Sequence, residues 1–152
     1  MKVACAFDHA GVPLRETVIT ALQSAGHEAL DLGTADDYPD VALSVGRAVA
    51  GGEAERGVIV CGSGAGVSVA ACKLPGIRAT VAHDHYTAAQ MVGHDNCNVL
   101  CIGARVVGTA IAAELVQAFA AASFTGEERH VRRLGKVDAM ERDGLDANLG
   151  GP

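Results

Sequence analysis

Residues 57–71 read Gly57-Val58-Ile59-Val60-Cys61-Gly62-Ser63-Gly64-Ala65-Gly66-Val67-Ser68-Val69-Ala70-Ala71. Val58, Ile59 and Val60 form a short apolar, β-branched run, which predicts a strand buried on both faces. The five residues after Cys61, Gly62 to Gly66, include three glycines, and a helix-forming stretch from Val67 to Ala71 follows at once. A buried strand feeding a helix through a tight glycine loop is the repeating unit of a parallel sheet. Cys61 closes the strand, at the carboxyl edge where open α/β sheets bind their ligands. A thiol there packs, attacks as a nucleophile or moves protons, and the rest of the chain bears on the choice.

The same alternation extends in both directions. Lys2–Phe7 reads as a strand and Pro13–Ala25 as a helix, with Pro13 suited to the first turn and Gly26 as its stop. Glu28–Leu32 is a second strand, Gly33–Asp40 a polar loop, and Val41–Ala50 a helix with Asp40 as N-cap. After the glycine loop, Pro75-Gly76 marks a turn and Ile77–Ala82 a fourth strand. Tyr86–Gly93 reads as a helix, Asn98–Ile102 as the fifth strand and Thr109–Ala122 as an alanine-rich helix. Thr125-Gly126-Glu127-Glu128 resembles a capping box for a last helix over residues 127–142, and residues 143–152 read as a loose tail. Five strands separated by helices predict an α/β fold. It is a Rossmann-like three-layer α/β/α sandwich on a five-stranded parallel sheet, one domain over residues 1–152.

Composition narrows the function classes. With 49% hydrophobic and 20% charged residues the chain can bury a core, and its formal charge of −6 argues against general nucleic-acid affinity. Two Tyr, three Phe and no Trp leave few platforms for base stacking. Met1-Lys2 runs straight into the short stretch Val3–Phe7, unlike a signal peptide, and no apolar run reaches the ~20 residues of a membrane span. The five cysteines contain no C-x-x-C pair, which fits reduced thiols in a cytoplasm.

Right-handed crossovers bring the strand-to-helix loops to one edge of the sheet. Asp8-His9-Ala10-Gly11, the glycine loop and His83-Asp84-His85 all fall there. The first two share a crevice if the first and third strands are neighbours. The glycine loop can present N–H groups to a phosphate or a reaction oxyanion. No Gly-Lys-Ser/Thr follows it, and it lacks the last glycine of the dinucleotide fingerprint, although Asp84 lies about twenty residues on. Ser63 is not in G-x-S-x-G, which weighs against a Ser-His-Asp hydrolase. His83, Asp84 and His85 offer metal-ligand chemistry without a fourth ligand or an H-E-x-x-H motif. His94-Asp95-Asn96 is polar at every position, as an exposed loop also is. Arg129 and Arg133, with His130 and Arg132 beside them, share a helix face. They could clamp one phosphate, or form a solvated basic face.

Taken together, these runs resemble the ribose-5-phosphate isomerase B family, among the sugar-phosphate isomerases that include the galactose-6-phosphate isomerase subunits. The matching segments are Asp8–Gly11, Asp37-Tyr38-Pro39, Cys61–Gly66, Ala70–Lys73, Gly76–Ala79, Asn98–Gly108 and Arg129-His130 with Arg133, in order from residue 2 to about 142. The resemblance implies an aldose–ketose isomerase for ribose 5-phosphate and ribulose 5-phosphate, with no metal or organic cofactor. It implies a homodimer, tetrameric in some members, with sites at the subunit interface and the last helix packed there. By position, Cys61 becomes the general base, assisted by Ser63, and His94 the acid that opens the sugar ring. Asp8, His9, Gly62, Ser63, Gly64, Ala65, Gly66, Asp95, Arg105, Arg129 and Arg133 become substrate ligands, with Tyr38 near the sugar.

Two positions depart from the family pattern. Members that lack the cysteine use a glutamate just beyond the loop, and here that position is Val67, which leaves Cys61 as the base. Asp95 replaces the usual Asn after the ring-opening His; an ionised carboxylate cannot donate to an enediolate oxygen as an amide can. Asp95 therefore turns away, is protonated, or yields the task to Asn96. Cys72 also replaces an Asn, with a structural role expected. Two other readings stay open: the same chemistry on a different sugar phosphate, of galactose 6-phosphate or allose 6-phosphate type, and a non-catalytic module that binds a nucleotide or sugar phosphate.

Overall fold

The computed structural model describes residues 1–150; Gly151 and Pro152, the end of the expected tail, lie outside the described residues. Five strands form one parallel sheet: β1 (Lys2–Asp8), β2 (Glu28–Ala35), β3 (Arg56–Cys61), β4 (Ala79–Val81) and β5 (Val99–Gly103). Their order is β2-β1-β3-β5-β4, with β1 and β3 adjacent as the shared crevice requires. The helices are α1 (Arg15–Ser24), α2 (Tyr38–Ala50), α3 (Ala65–Ala71), α4 (His85–Asp95), α5 (Thr109–Ala121) and α6 (Glu128–Asp143).

Side-chain alternation along the central strands divides the core into two layers. Val3, Cys5, Phe7, Val58, Val60, Leu100 and Ile102 face α1, α4 and α5. Ala4, Ala6, Ile59, Cys61, Val99 and Cys101 face α2 and α3. This is the expected Rossmann-like α/β/α sandwich. Helix α6 stands outside it, with His130 its one buried residue and Val131, Val137 and Met140 about half exposed.

Several boundaries differ from the sequence reading. The chain makes a 3₁₀ turn over Val12–Leu14 before α1, with Pro13 in a first turn that can lack its N–H. Strand β2 runs on to Ala35 through an irregularity in its pairing with β1. Helix α2 starts at Tyr38, with Asp37 at the N-cap and Pro39 and Asp40 inside the first turn, where proline and an acid are both favoured. Asp40 is thus not the cap. Thr125 does not close a capping box either; Glu127 takes the N-cap position of α6 with no side-chain cap bond. The tail is not wholly loose, since Gly144–Asp146 form a 3₁₀ turn. Among the described residues no helix is long and apolar enough to cross a membrane.

Candidate active site

At the carboxyl edge, Cys61 ends β3 only 4% exposed, and the Gly64 N–H donates to its Sγ at 3.1 Å. Gly64 has φ +82°, a conformation that favours glycine and turns its N–H back on the sulfur. The Ser63 hydroxyl accepts from the Ala65 N–H at 3.3 Å, a local turn that opens α3. Gly66 leaves room for the Tyr38 ring, which lies 3.2 Å from where a Cβ would stand. Arg105 donates its N–H to the Gly62 carbonyl at 3.0 Å, and its guanidinium lies 3.5 Å from the Cβ position of Gly62.

The loop after β1 faces the same crevice. Buried Asp8 accepts from the Ala10 and Gly11 N–H groups through Oδ1, both at 2.9 Å, and this holds the turn. The exposed ring of His9 is anchored through Nδ1 to the Asp36 carbonyl at 2.9 Å. The carboxyl edge therefore gathers Asp8, His9, Tyr38, Cys61, Ser63, the glycine loop and Arg105.

The other predicted residues gather elsewhere. Helix α4 leaves the carboxyl edge at His85 and returns the chain to the amino edge, where β5 begins. His94 and Asp95 are in its last turn, and Asn96 is the left-handed C-cap with φ +47°. The Arg78 Nε–H donates to the Asn96 carbonyl, which ties this end to the start of β4. Five residue steps along the sheet, about 17 Å at strand rise, separate Asn98 from Gly103, the partner of Cys61 in register. His94 and Asp95 thus lie at the opposite edge from Cys61, and α4 covers the opposite face.

Helix α6 brings Arg129 and Arg133 to this second cluster. The His94 ring lies 4.1 Å from the His130 ring, tilted 48°. The Arg129 Nε–H donates to His130 Nε2 at 3.0 Å, and its Nη1 pairs with Glu127 at 2.8 Å. The Gln90 amide lies 2.9 Å from His94 Nδ1. Arg133 and Asp95 line a cavity of about 710 Å³ between α6 and residues 72–79. His94 also borders a second cavity, about 380 Å³, with Tyr86, Gln90 and Thr125.

The remaining candidates are structural. Asp84 caps α4, accepting from the Thr87 N–H at 2.8 Å; that hydrogen bond holds its carboxyl below the usual range. His83 Nε2 accepts from the Gly103 N–H at 3.0 Å, and His85 pairs with Glu114. The Cys72 thiol donates to the Ala79 carbonyl. Burial pushes the thiols of Cys5 and Cys97 up to about 12, and that of Cys101 up as well. His130 stood in the sequence only as a neighbour of the arginines. Its contacts with His94 and Arg129 come from α4 and α6 packing together, which no local signal discloses.

The family described as ribose/galactose isomerase matches residues 3–137. Ribose-5-phosphate isomerase B of Escherichia coli (strain K12) is 40% identical over 145 residues, which are 93% of this chain and 97% of that protein. The type B ribose 5-phosphate isomerase of Trypanosoma brucei superposes with TM-score 0.88 at 44% identity, over 91% of this chain and 97% of that one. Ribose-5-phosphate isomerase B of Mycoplasma genitalium, solved with bound ribulose 5-phosphate, gives TM-score 0.86 at 34% identity over 93% and 97% of the two chains.

Proposed function

We propose that this chain, which belongs to the ribose/galactose isomerase family and is a sugar-phosphate isomerase, interconverts ribose 5-phosphate and ribulose 5-phosphate with Cys61 as the base. The observation that carries the reading is the cradle of Cys61: a thiol at the sheet's carboxyl edge, with the Gly64 N–H aimed at its sulfur and Asp8 and His9 across the crevice. The Cys61 thiolate removes the proton from C2 of the open sugar, and the electron pair moves through C1 to the carbonyl oxygen. The resulting enediolate takes the proton back at C1, while the O2 hydroxyl proton passes to O1 and O2 becomes the ketone. The remaining loop N–H groups, with the Ser63 hydroxyl, face the charge that develops. Such donors are worth roughly 3–4 kcal/mol each in an oxyanion hole. No metal or organic cofactor takes part in this scheme.

The site is composite. His94, as the ring-opening acid, and Arg129 and Arg133, as phosphate ligands, lie at the far edge of their own sheet and so act on sugar bound at the Cys61 edge of a second copy. Two copies related by a two-fold axis form two such sites. The half-exposed Val131, Val137 and Met140 of α6 support burial against that partner. Asp95 lines the same cavity as Arg133.

The family's description covers galactose as well as ribose, which keeps a six-carbon phosphate as the second reading. Comparing kcat/KM across five- and six-carbon aldose phosphates decides between them; a strong preference for a six-carbon substrate overturns the ribose assignment. In deuterium oxide, without added cofactor, the enzyme should introduce deuterium into the product, and Cys61→Ala should abolish this while retaining phosphate-ligand binding. Isomerisation at the normal rate in Cys61→Ala removes Cys61 as the base.

A further inference from the structure

We infer that His130 is a positioning residue, a buried brace that fixes the Arg129 guanidinium for the substrate phosphate and supports the His94 ring. The inference rests on the reading of Arg129 as a phosphate ligand and His94 as the ring-opening acid. His130 is 1% exposed, and both its nitrogens are engaged. The Arg129 Nε–H can only donate, so His130 Nε2 must hold a lone pair. The ring proton therefore sits on Nδ1, which donates to Thr125 Oγ1 at 3.0 Å. A proton on Nε2 would set two donors against each other and break the arginine bond.

The consequence falls on Arg129. Its guanidinium is tethered at Nε by His130 and at Nη1 by Glu127, while the side chain stays half exposed. Both tethers leave Nη2 free to meet an anion. A flexible arginine loses rotamer freedom when it binds phosphate, whereas this one is ordered in advance. The opposite use of the same imidazole is its ring, which lies 4.1 Å from that of His94. Thr125, the other partner of His130, also donates its backbone N–H to the Gly93 carbonyl, so the brace is anchored to the turn of α4 that carries His94.

Two substitutions separate the two uses. His130→Phe keeps a ring beneath His94 and removes the acceptor; it should raise KM for ribose 5-phosphate about tenfold and change kcat by less than about twofold. His130→Gln places a side-chain oxygen near the position of Nε2 and removes the ring; it should restore KM to within about threefold of the parent and lower kcat. The inhibition constant of inorganic phosphate should follow KM in both variants. In the unmodified enzyme, ¹⁵N chemical shifts should show the Nδ1–H tautomer of His130, a measurement that does not depend on a variant folding. An Nε2–H tautomer, or equal effects of Phe and Gln on KM, overturns the inference. Arg129→Ala is the control: if KM is unchanged in it, the phosphate-ligand reading fails; if KM rises there but not in His130→Phe, the brace alone fails.

Discussion

Cys61 and His94 stand at opposite edges of one parallel sheet, Cys61 closing β3 at the carboxyl edge and His94 in the last turn of α4 beside the amino edge. The two residues assigned to proton transfer in the reaction therefore cannot meet within one chain. The arrangement follows from the right-handed β4-α4-β5 crossover, which must carry the chain back before β5 can start. Under the proposed function, each copy offers a base half and an acid half, and a closed pair uses both.

The five thiols should separate by reactivity. Thiolate is the form that alkylates, and burial holds Cys5 and Cys97 near 12 and raises Cys101 too, so at pH 8 these three remain protonated. Their labelling should begin only as the pH rises far above 8 or the chain unfolds. Iodoacetamide at pH 8 should modify exposed Cys72 and crevice-lining Cys61, and ribose 5-phosphate should protect Cys61 alone. Peptide mass spectrometry reads the sites; labelling of Cys101 in the folded enzyme contradicts the assignment.

Gly103 should be intolerant of a side chain. A Cβ there would stand 2.6 Å from the Ser63 carbonyl carbon and 2.7 Å from its oxygen. Gly103→Ala must shift the loop that aims an N–H at Cys61, and a displacement near 1 Å costs about a hundredfold in rate. The expected result is a kcat reduced about a hundredfold in an enzyme that still binds inorganic phosphate. A kcat within twofold of the parent would mean the loop geometry is not catalytic.

Arg56 should matter for stability. Its guanidinium donates to the Phe119, Ala120 and Ala122 carbonyls at the end of α5, and lies 5.3 Å from the Phe119 ring centre. It satisfies carbonyls that have no partner within the helix and offsets the negative helix end. Arg56→Met should cost about 2–3 kcal/mol in denaturant unfolding, and Arg56→Lys less. A loss below about 0.5 kcal/mol in Arg56→Met would show that water replaces the guanidinium without cost.

Much of this was legible in the sequence because it is local. The run Val58–Cys61, the glycines after it and the alternation of short apolar strands with helices give the sandwich and put Cys61, Ser63, Asp8 and His9 on one edge. The boundaries near Tyr38 and His94 were less legible. Asp37, Asp40 and Pro39 all suit a helix start, and His94-Asp95-Asn96 is polar whether it ends a helix or forms a loop. The opposite placement of His94 depended on strand order and on the length of α4. His130 was hidden more deeply, since a histidine among arginines reads as a basic surface until α4 and α6 are packed together.

Subunit mixing tests the composite site most directly. Cys61→Ala and His94→Ala should each be inactive as purified homodimers. After subunit exchange, a mixed dimer holds one site with Cys61 and His94 both intact and one site lacking both. An equimolar mixture should therefore recover about a quarter of the parent activity, in proportion to the mixed dimer formed. Verified subunit exchange with no recovered activity would contradict a site built from the two edges of two copies.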